Sequence, residues 1–145
     1  MVYQRILLAV DFSGESEQLC RRAHELAERF SARLYLIHVV EPIIPMPPYE
    51  LPGVVPAELE AQLLDHARHE LTKLAGKFQL DSNDVIIETG ATRSVIIDAA
   101  RERAIDLIVV GSHGRHGVAL LLGSTANAIL HHAHCDVLAV RLGGE

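Results

Sequence analysis

Ile6-Leu7-Leu8-Ala9-Val10 is a continuous apolar run that stops at Asp11. A strand wetted on one face alternates apolar with polar residues. A run without alternation suits a strand covered on both faces, as in a parallel sheet. Ser13 follows as the expected N-cap of a helix, with Glu15 and Glu17 in its positive first turn. Leu19, Ala23, Leu26, Ala27 and Phe30 recur at helical spacing and form its expected buried face. Leu34-Tyr35-Leu36-Ile37-His38-Val39-Val40 is the next strand. Strand, helix and strand joined in this way make a βαβ unit, with a right-handed crossover expected.

The pattern continues outward. All six prolines lie between Pro42 and Pro56, and Glu41–Val55 has no period, so it reads as a long loop. A loop of that length is usually functional or mobile. Pro56 suits the first position of a helix, and behind it Leu59, Leu63, Ala67, Leu71 and Leu74 mark one face. Asp81-Ser82-Asn83-Asp84 is a turn and Val85-Ile86-Ile87 a short strand. Thr89-Gly90-Ala91-Thr92 leads into a helix with Val95, Ile96, Ala99 and Ala100 inward. Asp106-Leu107-Ile108-Val109-Val110 is a strand that ends at Gly111. A helix from Ser124 to about His132 buries Ala126, Ile129, Leu130 and Ala133, and Asp136–Val140 is the last strand. Five strands alternate with four helices, without repeat or linker. The expectation is therefore one α/β domain over residues 1–145, with a doubly wound parallel sheet.

Composition narrows the function classes. At 49% apolar and 22% charged residues, the 145-residue chain has a globular composition. Its apolar runs are strand-sized and far short of a bilayer span, so no membrane partner is expected. The N-terminus lacks the long apolar stretch and cleavage site of a signal peptide, which makes a cytoplasmic location the expectation. Cys20 lies in a helical pattern and Cys135 begins the last strand. They form no CxxC pair and read as buried or half-buried thiols. A net charge of −6 and scattered aromatics argue against a nucleic-acid partner.

In open α/β sheets, ligands bind beyond the carboxyl ends of the strands, where strand order reverses. Two strand ends carry unusual residues: Asp11-Phe12-Ser13 after the first, and Gly111-Ser112-His113-Gly114-Arg115-His116-Gly117 after the fourth. Four of the ten glycines fall within Gly111–Gly123. Glycines let backbone N–H groups approach an anion, and Gly123-Ser124-Thr125 opens a helix whose first turn is itself a phosphate site. Each glycine alone also reads as a plain turn; the combination is what points to a nucleotide phosphate. GxGxxG and Gly-Lys-Ser/Thr are both absent, which excludes the dinucleotide fingerprint and the P-loop.

Gly111-x-x-Gly114 followed by Gly123-Ser124, placed after Asp106–Val110, resembles the nucleotide loop of the universal stress protein family. Ile6–Ser13, Leu36–Val39 and Cys135–Val140 resemble the same family's first, second and last strands, and the likeness covers essentially the whole chain. It implies a sheet ordered 3-2-1-4-5 and an ATP-binding, dimeric stress-response protein. By that resemblance, Ala9 and Asp11 line the pocket and the backbone at Val39 reads the adenine. Gly111, Gly114, Gly123, Ser124 and Thr125 hold ribose and phosphates, and Ser13, His113 and Arg115 complete the expected set. The family spacing puts nine residues between the second and third glycines, whereas Arg115–Leu122 supplies eight. A branch with a shorter loop and without these glycines does not bind ATP, so a nucleotide-free dimeric scaffold is the alternative.

Asp11 is the natural Mg²⁺ anchor, through its carboxylate, bound waters and the phosphates; a helix-start charge is its other reading. Arg115 is the one permanent cation in the loop, which favours Mg²⁺-dependent ATP binding. His131, His132 and His134 lack zinc spacing and read as surface residues, while His38 inside an apolar strand reads as a satisfied core histidine. No catalytic residue is assigned. Asp11 with His113 would support at most a slow ATPase. Ser13-Gly14-Glu15-Ser16 lacks the Ser-Gly-Gly-x-Asp-Ser loop of the related hydrolases. The last strand is an apolar edge in the implied order, so a homodimer through residues 136–141 is expected.

Overall fold

β1 (Arg5–Ala9) commits its side chains to two layers. Ile6 and Leu8 pack into one apolar cluster and Leu7 into another, and all three are fully buried. That arrangement requires a strand in the middle of a sheet with helices on both sides. The computed structural model, which describes residues 2–42, 57–112 and 123–142, places β1 there. The remaining elements are α1 (Ser16–Phe30), β2 (Arg33–Val40), α2 (Ala57–Lys77), β3 (Val85–Thr89), α3 (Thr92–Glu102), β4 (Leu107–Gly111), α4 (Ser124–His132) and β5 (Asp136–Val140). The sheet is parallel throughout and ordered β3-β2-β1-β4-β5, as the resemblance implied.

The unalternating strands are thereby explained. Ile6, Leu8, Leu34, Leu36, Leu107 and Val109 face a layer built by Leu19, Cys20, Ala23 and Ala27 of α1 and Leu71 and Leu74 of α2. Leu7, Tyr35, Ile37, Ile86, Ile108 and Val110 face Ile96, Ala99 and Ala100 of α3 and Ala126 and Ile129 of α4. Cys20 is buried and Cys135 half-buried, as expected, and burial pushes the Cys20 thiol up to about 12.

Several expectations shift. β1 begins and ends one residue earlier than the apolar run, because Arg5 pairs with Arg33 while Val10 has passed beyond the last paired position. Asp106 and Cys135 lie just before β4 and β5 rather than inside them. Phe30, Leu59, Leu63 and Leu130 were expected inside and are exposed. For Phe30 the reason is local: it closes α1 and meets the Tyr3 ring edge-on at 5.2 Å, outside the core. Leu59 and Leu63 lie in the first turns of α2, whose 21 residues outrun the strands beneath it.

Carboxylates secure the edge where the strands begin. Asp106 accepts the backbone N–H groups of Gln4 and Arg5 at 2.9 and 3.1 Å, tying the start of β1 to that of β4. Arg33 grips Asp84 through Nη2 at 2.6 Å and Nε at 3.0 Å, fixing β2 to the turn before β3. Asp84 is buried, so the pairing also satisfies a carboxylate that would otherwise be stranded.

At the opposite edge Gly90 joins β3 to α3 with φ +142°, a conformation that L side chains rarely adopt, and an added Cβ would lie 2.7 Å from Val95 Cγ2. Gly90→Ala is expected to cost ~1–3 kcal/mol of stability. A lowered thermal midpoint checks it, and an unchanged one would show that the turn relaxes freely.

Candidate functional site

The five strands release their chains at the same edge, and the two central ones do so apart. β1 and β4 pair from Ile6↔Leu107 to Leu8↔Val109, where the pairing stops. On their outer sides it continues. Ala9 stays opposite Ile37, and the Val10 N–H donates to the Ile37 carbonyl at 2.8 Å. Gly111 stays opposite Val140, and the Ser112 N–H donates to the Val140 carbonyl at 2.8 Å. One strand end is thus held toward β2 and the other toward β5. The gap between them is the crevice of a topological switch point.

The β1 side is a tight turn. Asp11 Oδ1 accepts the Ser13 N–H at 2.9 Å, and Phe12 between them takes φ 59°. Ser13 then accepts twice, at Oγ from the Glu15 N–H (3.3 Å) and at its carbonyl from the Ser16 N–H (3.1 Å). Ser13 is therefore not the N-cap expected of it. Its Oγ accepts an N–H that lies ahead of the helix, and α1 starts only at Ser16, with Glu15 in the cap position. The Ser16 hydroxyl oxygen is buried there with no hydrogen-bond partner among the described residues.

The β4 side is a closed loop base. The Gly123 N–H donates to the Ser112 carbonyl at 2.7 Å, so the two ends of the glycine-rich span meet at the end of β4. Gly123 is extended, at φ −63° and ψ 159°, and immediately precedes α4 as a cap residue that has no side chain of its own. The first bond back to that cap runs from the Asn127 N–H to the Gly123 carbonyl at 2.9 Å. The N–H groups of Ser124, Thr125 and Ala126 come before it, at the positive end of α4. Ser124 is exposed and Thr125 half-buried. His113, Gly114 and Arg115 lie outside the described residues, as does most of the proline-rich span.

β2 supplies the third wall. Val39 is buried and pairs with Glu88. His38 Nδ1 lies 2.6 Å from the Val10 carbonyl, and the His38 ring stacks on Phe12 with centroids 4.1 Å apart. Both Asp11 and His38 are engaged with partners. Glu41, just past β2, accepts from the Thr92 hydroxyl at 2.7 Å and from the Thr92 N–H at 3.2 Å. It occupies the N-terminus of α3 as a bound anion would, so that helix start is already taken. Sequence reasoning missed Glu41 and the His38 bond. The only trace was a polar residue in an apolar strand and a carboxylate at a strand end.

Among the described residues no group of three His, Cys, Asp or Glu side chains is placed to hold a metal, and His131, His132 and His134 are exposed. A single carboxylate beside a helix start suits Mg²⁺ held mainly by phosphates and water rather than by a protein cage. Also among the described residues, no helix is long and apolar enough to cross a membrane.

The Thr92 hydrogen bonds hold the Glu41 carboxyl below its ordinary value of 4.5. A depressed carboxyl stabilises the fold above that ordinary value and ceases to as pH falls through the lower folded one. Acidification below 4.5 is therefore expected to erase the stability difference between the wild type and Glu41→Ala. Midpoints measured against pH check this, and a constant difference would show that the pair contributes nothing.

The model of the universal stress protein family matches residues 2–141. A universal stress protein A homolog of Coxiella burnetii is 41% identical over 145 residues, covering 99% of this chain and 98% of its own. The solved universal stress protein of Lactobacillus plantarum superposes with a TM-score of 0.73 at 28% identity, covering 97% of this chain and 99% of its own. A universal stress protein solved in complex with cAMP gives 0.62 at 25% identity, covering 97% and 98%. The chain belongs to the universal stress protein family.

Proposed function

We propose that this family member is a cytoplasmic, single-domain stress-response protein that binds ATP with Mg²⁺ and acts as a dimeric, nucleotide-dependent sensor or regulator. The observation that carries the reading is the parting of β1 and β4 after Leu8↔Val109, with Asp11 on one lip and the positive start of α4 on the other. Ala9, Asp11 and Ser13 line the pocket, and the backbone at Val39 reads the adenine. Gly111, Gly123, Ser124 and Thr125 supply the phosphate side, with His113, Gly114 and Arg115 from the loop between them. Asp11 would hold Mg²⁺, which offsets phosphate charge that a single arginine leaves uncompensated. The cAMP complex of a relative supports an adenine nucleotide as the ligand class.

Thermal unfolding with and without Mg-ATP tests the reading. Ligand at about one hundred times its Kd adds about 2.7 kcal/mol, so the wild-type midpoint is expected to rise by several degrees. Asp11→Ala, Gly114→Val and excess EDTA should each remove most of that rise. A wild type unmoved by millimolar ATP would overturn the reading and leave a scaffold acting through protein contacts.

For the dimer, the support is β5. It is a sheet edge whose exposed positions include Leu138, and residues 136–141 can pair with a second copy. Sedimentation is expected to give a dimer that Leu138→Lys shifts toward monomer. A wild-type monomer at tens of micromolar would exclude it.

A further inference from the structure

We propose that His38 is a positioning residue for the nucleotide site, acting through the Val10 carbonyl. The inference rests on the nucleotide reading and deepens it. His38 sits one residue before Val39, on a strand otherwise apolar from Leu34 to Val40. A polar side chain in a strand covered on both faces departs from the local rule, and such departures collect at functional sites.

The geometry gives the departure a purpose. A carbonyl oxygen can only accept, so the 2.6 Å contact requires the proton on Nδ1 of His38. Together with the Val10 N–H donating to Ile37, this bond fixes the peptide groups on both sides of Val10 to β2. The next residue but one, Phe12, is held left-handed at φ 59° with its ring stacked on the imidazole at an interplanar angle of 29°. The direction in which Asp11 leaves the sheet is therefore set by one imidazole: its nitrogen holds the residue before Asp11, and its face holds the residue after. Val39, the adenine-reading position, follows His38 on the same strand, so the two sides of the base pocket are locked in register. His38 touches no ligand in this scheme; it acts on Asp11 through Val10 and Phe12.

His38→Asn and His38→Gln separate this role from a merely structural one. Asparagine carries its NH₂ at the reach of Nδ1, whereas glutamine carries it at the reach of Nε2. The asparagine variant is expected to keep its Kd for Mg-ATP within about threefold of the wild type. The glutamine variant should weaken it about tenfold, the loss of one good hydrogen bond. Equal affinities for the two variants would overturn the proposal. The nitrogen-15 imidazole spectrum of the nucleotide-free wild type gives a readout independent of variant folding. A proton on Nδ1 supports the bond, and a proton on Nε2 with Nδ1 bare overturns it. The wild-type titration comes first: absence of ATP binding there sinks the proposed function and this role with it. Binding by the wild type with indistinguishable variants sinks only the role of His38.

Discussion

Burial of β1 on both faces is the constraint from which the rest follows. Ile6 and Leu8 need one apolar layer and Leu7 another, so helices must cover the sheet on both sides and β1 must sit at its centre. In a doubly wound sheet the central strand is also where the connections reverse direction. The residues that demand burial thus decide where the crevice opens. Its lips inherit their positions from hydrogen bonds on the far sides of β1 and β4, to Ile37 and Val140.

The carboxylates divide between the two edges of the sheet. At the starting edge Asp84 and Asp106 are consumed by Arg33 and by the backbone of Gln4 and Arg5, and they hold strands in register. At the finishing edge Asp11 and Glu41 shape turns and helix starts. Glu41 neutralises the positive end of α3, the helix that shares a face of the sheet with α4. A charge pattern that looks scattered along the chain is therefore ordered by depth along the strands.

The strands and the helix-bearing segments were legible because a period of 3.6 and an absence of alternation are local signals, whereas the strand order came from the family resemblance. What was not legible depended on lengths and on partners distant in the chain. The apolar stripe of α2 was read correctly as a stripe, yet Leu59 and Leu63 are exposed. A 21-residue helix runs roughly 31 Å, and the strands it packs on, β2 of eight residues and β3 of five, reach only about 26 and 17 Å. Periodicity reports a face and says nothing of how far the surface opposite extends. Ser13 was misplaced for a related reason: cap preference cannot see that its hydroxyl serves a turn ahead of the helix, which starts three residues later. Asp84 paired with Arg33 across fifty-one positions, and His38 paired with Val10 across twenty-eight, leave no spacing signature at all.

Cys20 has a consequence for the conditions under which such a protein works. Its thiol is fully buried in the layer beneath α1, and that environment raises its pKa to about 12. Oxidants attack the thiolate, the form that this burial disfavours. Cys135, half-buried beside Asp136, is raised in the same direction. Both shifts disfavour the form from which cysteine oxidation starts. The packing that builds the first layer thereby also makes the Cys20 thiol a poor nucleophile.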